Sequence, residues 1–292
     1  MKIIHLRNKA IDRERWDKCI CMSHNHLTYA YSWYLDIVSP NWEALVTHDY
    51  EYIMPLPMKR RYKIPYLVQP ILTQQLGIFS TLKITEDIVD EFVKQIPYFS
   101  YELNLNSANF STKVVSLPNY LLNLHHPYQQ LTKHFSKNTQ RNLEKAKKQN
   151  LSIRKDIKIQ DFIDLYQSVD RNFDSIKLNL LEKIIKAATE RNALHIYGIY
   201  NDNNHIVAGL CLLNTCNRLI YLLPVSNEEG KNTSAMFLLI DHIIRQEAGK
   251  NAILDFEGSK IEGVARFYKG FGAKNHPYFI LKRMRPSFLI GK

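Results

Sequence analysis

The stretch from Leu254 to Ala273 constrains the fold more than any other part of this chain. An apolar run, Ala252-Ile253-Leu254, ends in Asp255 and Glu257 and then in Gly258-Ser259, so a buried strand delivers carboxylates to a sheet edge and turns sharply into a helix. Ser259 and Glu262 have capping-box spacing, and Ile261, Val264, Ala265 and Tyr268 fall on one buried helix face. Gly270 and Gly272 stop that helix.

Just upstream, Arg218 to Leu223 reads as a strand, Pro224 to Asn232 as a glycine-bearing loop, and Thr233 to Gly249 as a helix apolar nearly all round. A helix start behind such a loop offers free backbone N–H groups and a positive dipole end, which suits a pyrophosphate. Gly230, Lys231, Asn232, Thr233 and Ser234 are therefore the candidate cofactor-binding residues.

With 292 residues, 45% of them hydrophobic, the chain can bury a full core and is expected to form two domains. Its longest apolar run, Ala235 to Ile240, is far short of the roughly 20 residues that cross a bilayer, and Met1 to Arg7 lacks the apolar core of a signal peptide. A cytoplasmic protein without a membrane span is expected. Cys19, Cys21, Cys211 and Cys216 lack metal-finger spacing and read as free thiols, with no metal. His125-His126 has no ligand or acid–base partner near it in sequence.

Charge is unevenly spread. Residues 1–126 carry 13 Lys and Arg against 12 Asp and Glu, whereas residues 127–292 carry 26 against 16. Between Lys133 and Lys155, eight basic residues face only Glu144. Lys137, Arg141, Lys145 and Lys148 form a single stripe on a helix, able to grip the phosphates of tRNA, a nucleotide-sugar or coenzyme A.

Taken in order, the first half reads as a strand at Lys2–Leu6, a helix around Asp12–Cys19, a hairpin across His48-Asp49-Tyr50, a strand at Ile64–Val68, a helix at Thr85–Gln95, and strands at Tyr101–Leu105 and Tyr120–Leu124. The second half repeats that order. A helical entry at Tyr128–Gln149, broken near Ser136, leads to a strand at Leu151–Arg154 and helices at Lys158–Phe173 and Leu178–Arg191. Three meander strands, the long apolar helix, the Ile253–Phe256 strand, a short helix and a final strand at Pro277–Lys282 follow. The pattern predicts a mixed α/β fold of two tandem domains, 1–126 and 127–292, with a boundary near His125 to Pro127.

Three segments, Gln74-Gln-Leu-Gly77, Phe135-Ser-Lys-Asn-Thr-Gln-Arg-Asn-Leu143 and Asp255-Phe-Glu-Gly-Ser259 through Phe267-Tyr-Lys-Gly-Phe-Gly-Ala273, resemble the Fem-like branch of the GNAT acyltransferase superfamily, across nearly the whole chain. The resemblance implies two side-by-side GNAT-like domains and N-acyl transfer to an amine from acyl-coenzyme A or an aminoacyl-tRNA. GNAT enzymes hold the coenzyme A pyrophosphate on an (Arg/Gln)-x-x-Gly-x-(Gly/Ala) turn. In Asn227-Glu-Glu-Gly230-Lys-Asn232 only the middle glycine fits, and Glu228 and Glu229 oppose an anion. Fem-like peptidoglycan aminoacyltransferases share a Phe-Lys before the final Phe-Gly. Here Phe267 is followed by Tyr268, with Lys269 one place on; that tyrosine looks like the GNAT residue that protonates a leaving thiolate.

Acyl transfer to an amine needs a base, oxyanion donors and an acid for the leaving group. Glu257 is the candidate base and Tyr268 the candidate acid; Gln74, Gln75 and Lys269 are candidate substrate contacts with the basic stripe. The expected function is a cytoplasmic N-acyltransferase taking an acyl group, acetyl first, from acyl-coenzyme A to a small amine or cell-envelope precursor held in a cleft between domains. One alternative keeps the fold and uses aminoacyl-tRNA on a cell-wall precursor. Another is a catalytically silent module binding RNA or a phosphorylated glycan. No DNA partner is expected.

Overall fold

In the computed structural model, which describes residues 1–112, 114–169 and 175–283, the chain divides into two compact units. Among the described residues, Met1–Pro118 and 277–283 form the first, and Asn119–His276 form the second.

The first unit opens with β1 (Ile3–Leu6), α1 (Arg13–Met22) and α2 (Ser32–Val38). Asp12 starts α1 by accepting from the Arg15 N–H at 3.1 Å, one of the free donors of a helix first turn. β2 (Glu43–Thr47) and β3 (Tyr52–Leu56) form the expected hairpin, with Tyr50 in the left-handed region at φ 61. At Pro57 the chain leaves this sheet to form β4 (Met58–Arg61) and β5 (Ile64–Val68), then returns as β6 (Phe79–Ser80) to pair with β3. One sheet therefore has the order β1-β2-β3-β6. α3 (Glu86–Lys94), β7 (Tyr101–Leu105) and β8 (Val115–Leu117) follow.

The second unit begins with β9 (Tyr120–Asn123), α4 (Tyr128–Leu131) and α5 (Lys137–Lys147). The Ser136 hydroxyl accepts from the Thr139 N–H at 3.1 Å, which is why the helical entry breaks there and restarts as α5. Next come β10 (Ser152–Lys155), α6 (Ile159–Val169), α7 (Ser175–Thr189) and the meander β11 (Leu194–Tyr200), β12 (Ile206–Thr215), β13 (Arg218–Ser226). The expected C-terminal turn of α6, residues 170–173, lies outside the described residues. α8 (Glu228–Asn232), α9 (Ala235–Glu247), β14 (Ile253–Asp255), α10 (Glu262–Gly270) and β15 (Lys274–Asn275) complete the unit. Its single sheet runs β10-β11-β12-β13-β14-β9-β15 and is mixed, since only β13 and β14 are parallel.

The compact units do not follow the halves of the sequence. β9, expected to close the first half, pairs with β14 through Leu122↔Leu254, and buried Tyr120, Leu122 and Leu124 join the second unit's core. β16 (Tyr278–Arg283), expected to close the second half, inserts between β7 and β8, and Phe279 and Leu281 join the first unit's core. That sheet thus has the order β4-β5-β7-β16-β8. An alternating strand shows which of its faces is buried but not the sheet it joins.

Two local expectations change. The segment Pro224–Asn232 is not an open loop: β13 runs on to Ser226 and α8 follows at once, with Ser234 at φ 59 separating it from α9. Nor does Ser259 cap α10 with Glu262. Its hydroxyl accepts from the Ile261 N–H at 3.0 Å, Glu262 pairs with Arg266 at 2.7 Å, and Ile261 is exposed rather than buried. The helix starts one residue after the predicted first position, so Ile261 precedes it and only Val264, Ala265 and Tyr268 face inward.

Candidate active site

The site begins where two parallel strands part. β13 and β14 pair from Arg218↔Ile253 to Ile220↔Asp255; β13 then continues through Tyr221 to Ser226 while the chain after Asp255 turns away. A register shift between Cys211 and Leu212 leaves Leu222 opposite no residue of β12, a bulge of the kind that re-aims neighbouring side chains. The opened wedge is a cavity of about 490 Å³, whose walls include Tyr221, Gly230, Lys231, Ser234, Phe267 and Tyr268. Its volume is that of a small-molecule site.

Tyr268 is buried on the inner face of α10, stacked on Phe256 at 4.9 Å and edge-on to Tyr221 at 5.9 Å. Neither Tyr221 nor Tyr268 donates its hydroxyl to any described residue, so both phenols are free for a bound ligand. Burial, with Glu257 and Asp255 adding to it, pushes the Tyr268 phenol well above 10, and burial does the same to Tyr221. Both are neutral hydrogen-bond donors at physiological pH.

The two acids at the strand end have different fates. Asp255 is fully buried: one oxygen takes both Arg218 Nε at 3.0 Å and Arg218 Nη2 at 2.7 Å, while the other accepts from the Asn119 amide at 3.2 Å and the Glu257 N–H at 2.9 Å. Glu257 sits half-buried at φ 60, and its carbonyl accepts from the Tyr120 N–H at 3.0 Å. A non-glycine residue held in that region carries strain, and such residues gather at functional sites. Glu257 lies within electrostatic reach of Tyr268 but does not line the cavity wall.

The Gly230–Ser234 turn is closed on itself. Gly230 N–H donates to the Asn227 side chain at 2.8 Å, Lys231 N–H to Asn227 O at 3.0 Å, Thr233 N–H to Glu229 O at 2.8 Å and Ser234 N–H to Lys231 O at 3.1 Å. Of the predicted residues, Gly230, Lys231 and Ser234 line the cavity with Tyr268, whereas Asn232 and Thr233 do not. Lys231 Nζ is engaged by Glu228 at 2.7 Å, and Glu229 accepts from Asn201 at 2.8 Å. Gly230 has a packing reason to be glycine, because a Cβ there would stand 2.2 Å from the Val207 carbonyl oxygen.

Residues 133–257 match the family model described as an acetyltransferase (GNAT) domain. The chain carries a GNAT domain. The match covers the parted strands, α8 and α9 and ends at Glu257, and it makes the protein an N-acyltransferase of the GNAT type. Among solved structures, the crystal structure of FemX is similar over 99% of both chains at 11% identity and a TM-score of 0.69. L-PGS from Bacillus licheniformis is similar over 87% of both at 7% identity and a TM-score of 0.55, and a tandem GNAT protein from the clavulanic acid biosynthesis pathway over 97% and 99% at 8% identity and a TM-score of 0.52. At such identities the likeness is one of fold, and the fold is the Fem-like tandem GNAT arrangement. No curated protein matches the chain.

Around the GNAT domain's cavity, α5 packs its Thr139, Leu143 and Ala146 face inward and leaves Lys137, Arg141, Lys145 and Lys148 exposed along one shallow groove. None of these four forms an ion pair among the described residues, since Glu144 goes to Lys147 at 2.8 Å. α5 is tied to the site: Ser136 N–H donates to Gly270 O at 2.9 Å, and Ser234 Oγ donates to Asn142 Oδ1 at 2.8 Å. Lys269 is exposed with its ammonium 5.5 Å from the Tyr120 ring centroid. Gln74 and Gln75 belong to the first unit, where Gln75 is buried and donates to Gln74 at 2.5 Å. Sequence reasoning missed Tyr221 and Arg218, whose only sequence signal was membership of a strand. Among the described residues, no group of three His, Cys, Asp or Glu side chains is placed to hold a metal, and no helix is long and apolar enough to cross a membrane.

Proposed function

We propose that this N-acyltransferase takes its acyl group from an aminoacyl-tRNA and passes it to an amine acceptor. The observation that carries this reading is the closed Gly230–Ser234 turn, whose amides at Gly230, Lys231, Thr233 and Ser234 already have partners and offer no cradle for a coenzyme A pyrophosphate. The unneutralised stripe on α5, bound to α9 through Ser234 and Asn142, supplies phosphate contacts instead. Tyr268 supports the same donor: a phenol raised above 10 is poorly matched to a thiolate, whose acid has a pKa of about 8.5, and better matched to the more basic alkoxide left by an ester. In this reading the amine attacks the ester carbonyl, Glu257 takes the amine proton, the C–O bond breaks, and Tyr268 gives its proton to the leaving oxygen. The Fem-like resemblance points to a cell-envelope precursor as acceptor, reached from the cytoplasm.

A thioester donor is the second reading, favoured by the largely apolar cavity between β13 and α10, which suits an acyl-pantetheine arm. Thermal unfolding with charged tRNA and, separately, acetyl-coenzyme A decides between them. A ligand at about 100 times its Kd adds about 2.7 kcal/mol, a shift of several degrees. Stabilisation by charged tRNA that fades with salt is expected. Stabilisation by acetyl-coenzyme A alone overturns the aminoacyl-tRNA reading, and tRNA binding without product formation favours a silent binding module.

A further inference from the structure

A second cavity, of about 650 Å³, lies wholly within the first unit, where the turn after β1, the end of α2 and strand β4 meet. The switch of the chain from one sheet to the other at Pro57 brings β4 here, as the edge strand of its sheet. Arg7 and Lys9 come from the turn and Lys59 and Arg60 from β4; all are exposed, and none forms an ion pair among the described residues. Such a convergence of like charges is self-repelling and becomes favourable only with an anion among them.

The cavity floor adds two observations. Ser39, just after α2, is 4% exposed, and its buried hydroxyl has no hydrogen-bond partner. A buried hydroxyl without a protein partner calls for one from outside the chain, a water or a ligand group. Glu43, the one carboxylate in the lining, is already satisfied: its Oε2 contacts His5 Nε2 at 2.6 Å and accepts from the Tyr98 hydroxyl. Arg7 and Arg60 both line the cavity and both lie within electrostatic range of that Tyr98 hydroxyl.

We propose that this cavity is a binding site for a small phosphate-bearing ligand, held by Arg7, Lys9, Lys59 and Arg60 with the Ser39 hydroxyl as donor from below. The site is separate from the GNAT domain's cavity and does not rest on the choice of acyl donor.

Titration calorimetry of the full chain with pyrophosphate tests it, with circular dichroism melting as the fold control. One pyrophosphate per chain is expected, bound about tenfold or more weakly by Lys59→Gln/Arg60→Gln and by Arg7→Gln/Lys9→Gln, two pairs on different elements. Ser39→Ala removes only an unpartnered hydroxyl, so it should melt like the parent and still bind several-fold more weakly. Lys183→Gln/Lys186→Gln, on α7 in the other unit and away from the stripe on α5, should leave pyrophosphate binding unchanged. The proposal is overturned by absence of binding at millimolar pyrophosphate, by binding that follows Lys137 and Arg141 instead, or by binding of tRNA but not pyrophosphate through Lys59 and Arg60.

Discussion

Arg218 forks onto a single oxygen of Asp255, with Nε at 3.0 Å and Nη2 at 2.7 Å, and both side chains are buried. The pair ties the first residue of β13 to the last of β14, immediately before the strands part. Removing one partner leaves an uncompensated buried charge, which costs about 3–5 kcal/mol. Arg218→Met should therefore lower the unfolding free energy by about that much in urea titration, and Arg218→Met/Asp255→Leu should recover a large part of the loss.

Tyr268→Phe keeps the ring stacked on Phe256 and removes only a hydroxyl that no described residue uses. Turnover on an identified acceptor should fall about 100-fold, the lower end of what a general acid contributes, while the melting temperature stays near that of the parent. Glu257→Gln should lower turnover in the same assay. Turnover within a few-fold of the parent for both variants removes them from the catalytic roles.

Stability should fall on the alkaline side. Burial, aided by Asp241, lifts the Tyr128 phenol to about 12, and burial, aided by Glu247 and Asp156, lifts Tyr197 to about 12; Tyr221 and Tyr268 are raised as well. A phenol raised in the folded state adds stability that is complete below its unfolded value of about 10 and is lost as pH climbs through the folded value. Unfolding free energy should thus decline between about pH 10 and 12, and Tyr128→Phe should decline less steeply over that window.

Gly230→Ala tests why that glycine is needed. The added methyl would meet the Val207 carbonyl oxygen at 2.2 Å, a backbone atom that cannot swing aside. Destabilisation of about 1–3 kcal/mol is expected by thermal or urea unfolding, with or without any donor.

Replacing Lys137, Arg141, Lys145 and Lys148 by Gln should weaken charged-tRNA binding and flatten its salt dependence, by about 0.7–0.9 in logarithmic slope for each phosphate no longer neutralised. An unchanged slope assigns the stripe to solvent.

Some of this was legible in the sequence because it rests on short-range periodicity. The hairpin at His48–Tyr50, the break at Ser136, the meander of β11 to β13 and the strand-to-helix turn after Asp255 all follow from neighbours a few residues apart. The same locality put Lys137, Arg141, Lys145 and Lys148 on one helix face and Tyr268 on the buried face of α10.

Long-range pairing was not legible. Asp255 and Glu257 look alike in sequence, yet Arg218, 37 residues earlier, takes one carboxylate and leaves the other near Tyr268. Likewise, β9 and β16 exchange units because hydrogen-bond partners, not position along the chain, decide which sheet a strand completes. The sequence by itself determined most of the elements, the inward faces of the periodic ones and the placing of basic charge. Only the tertiary structure decided which acid is spent, which amides are closed and where Tyr221 and Tyr268 meet, because each depends on contacts between residues far apart in sequence.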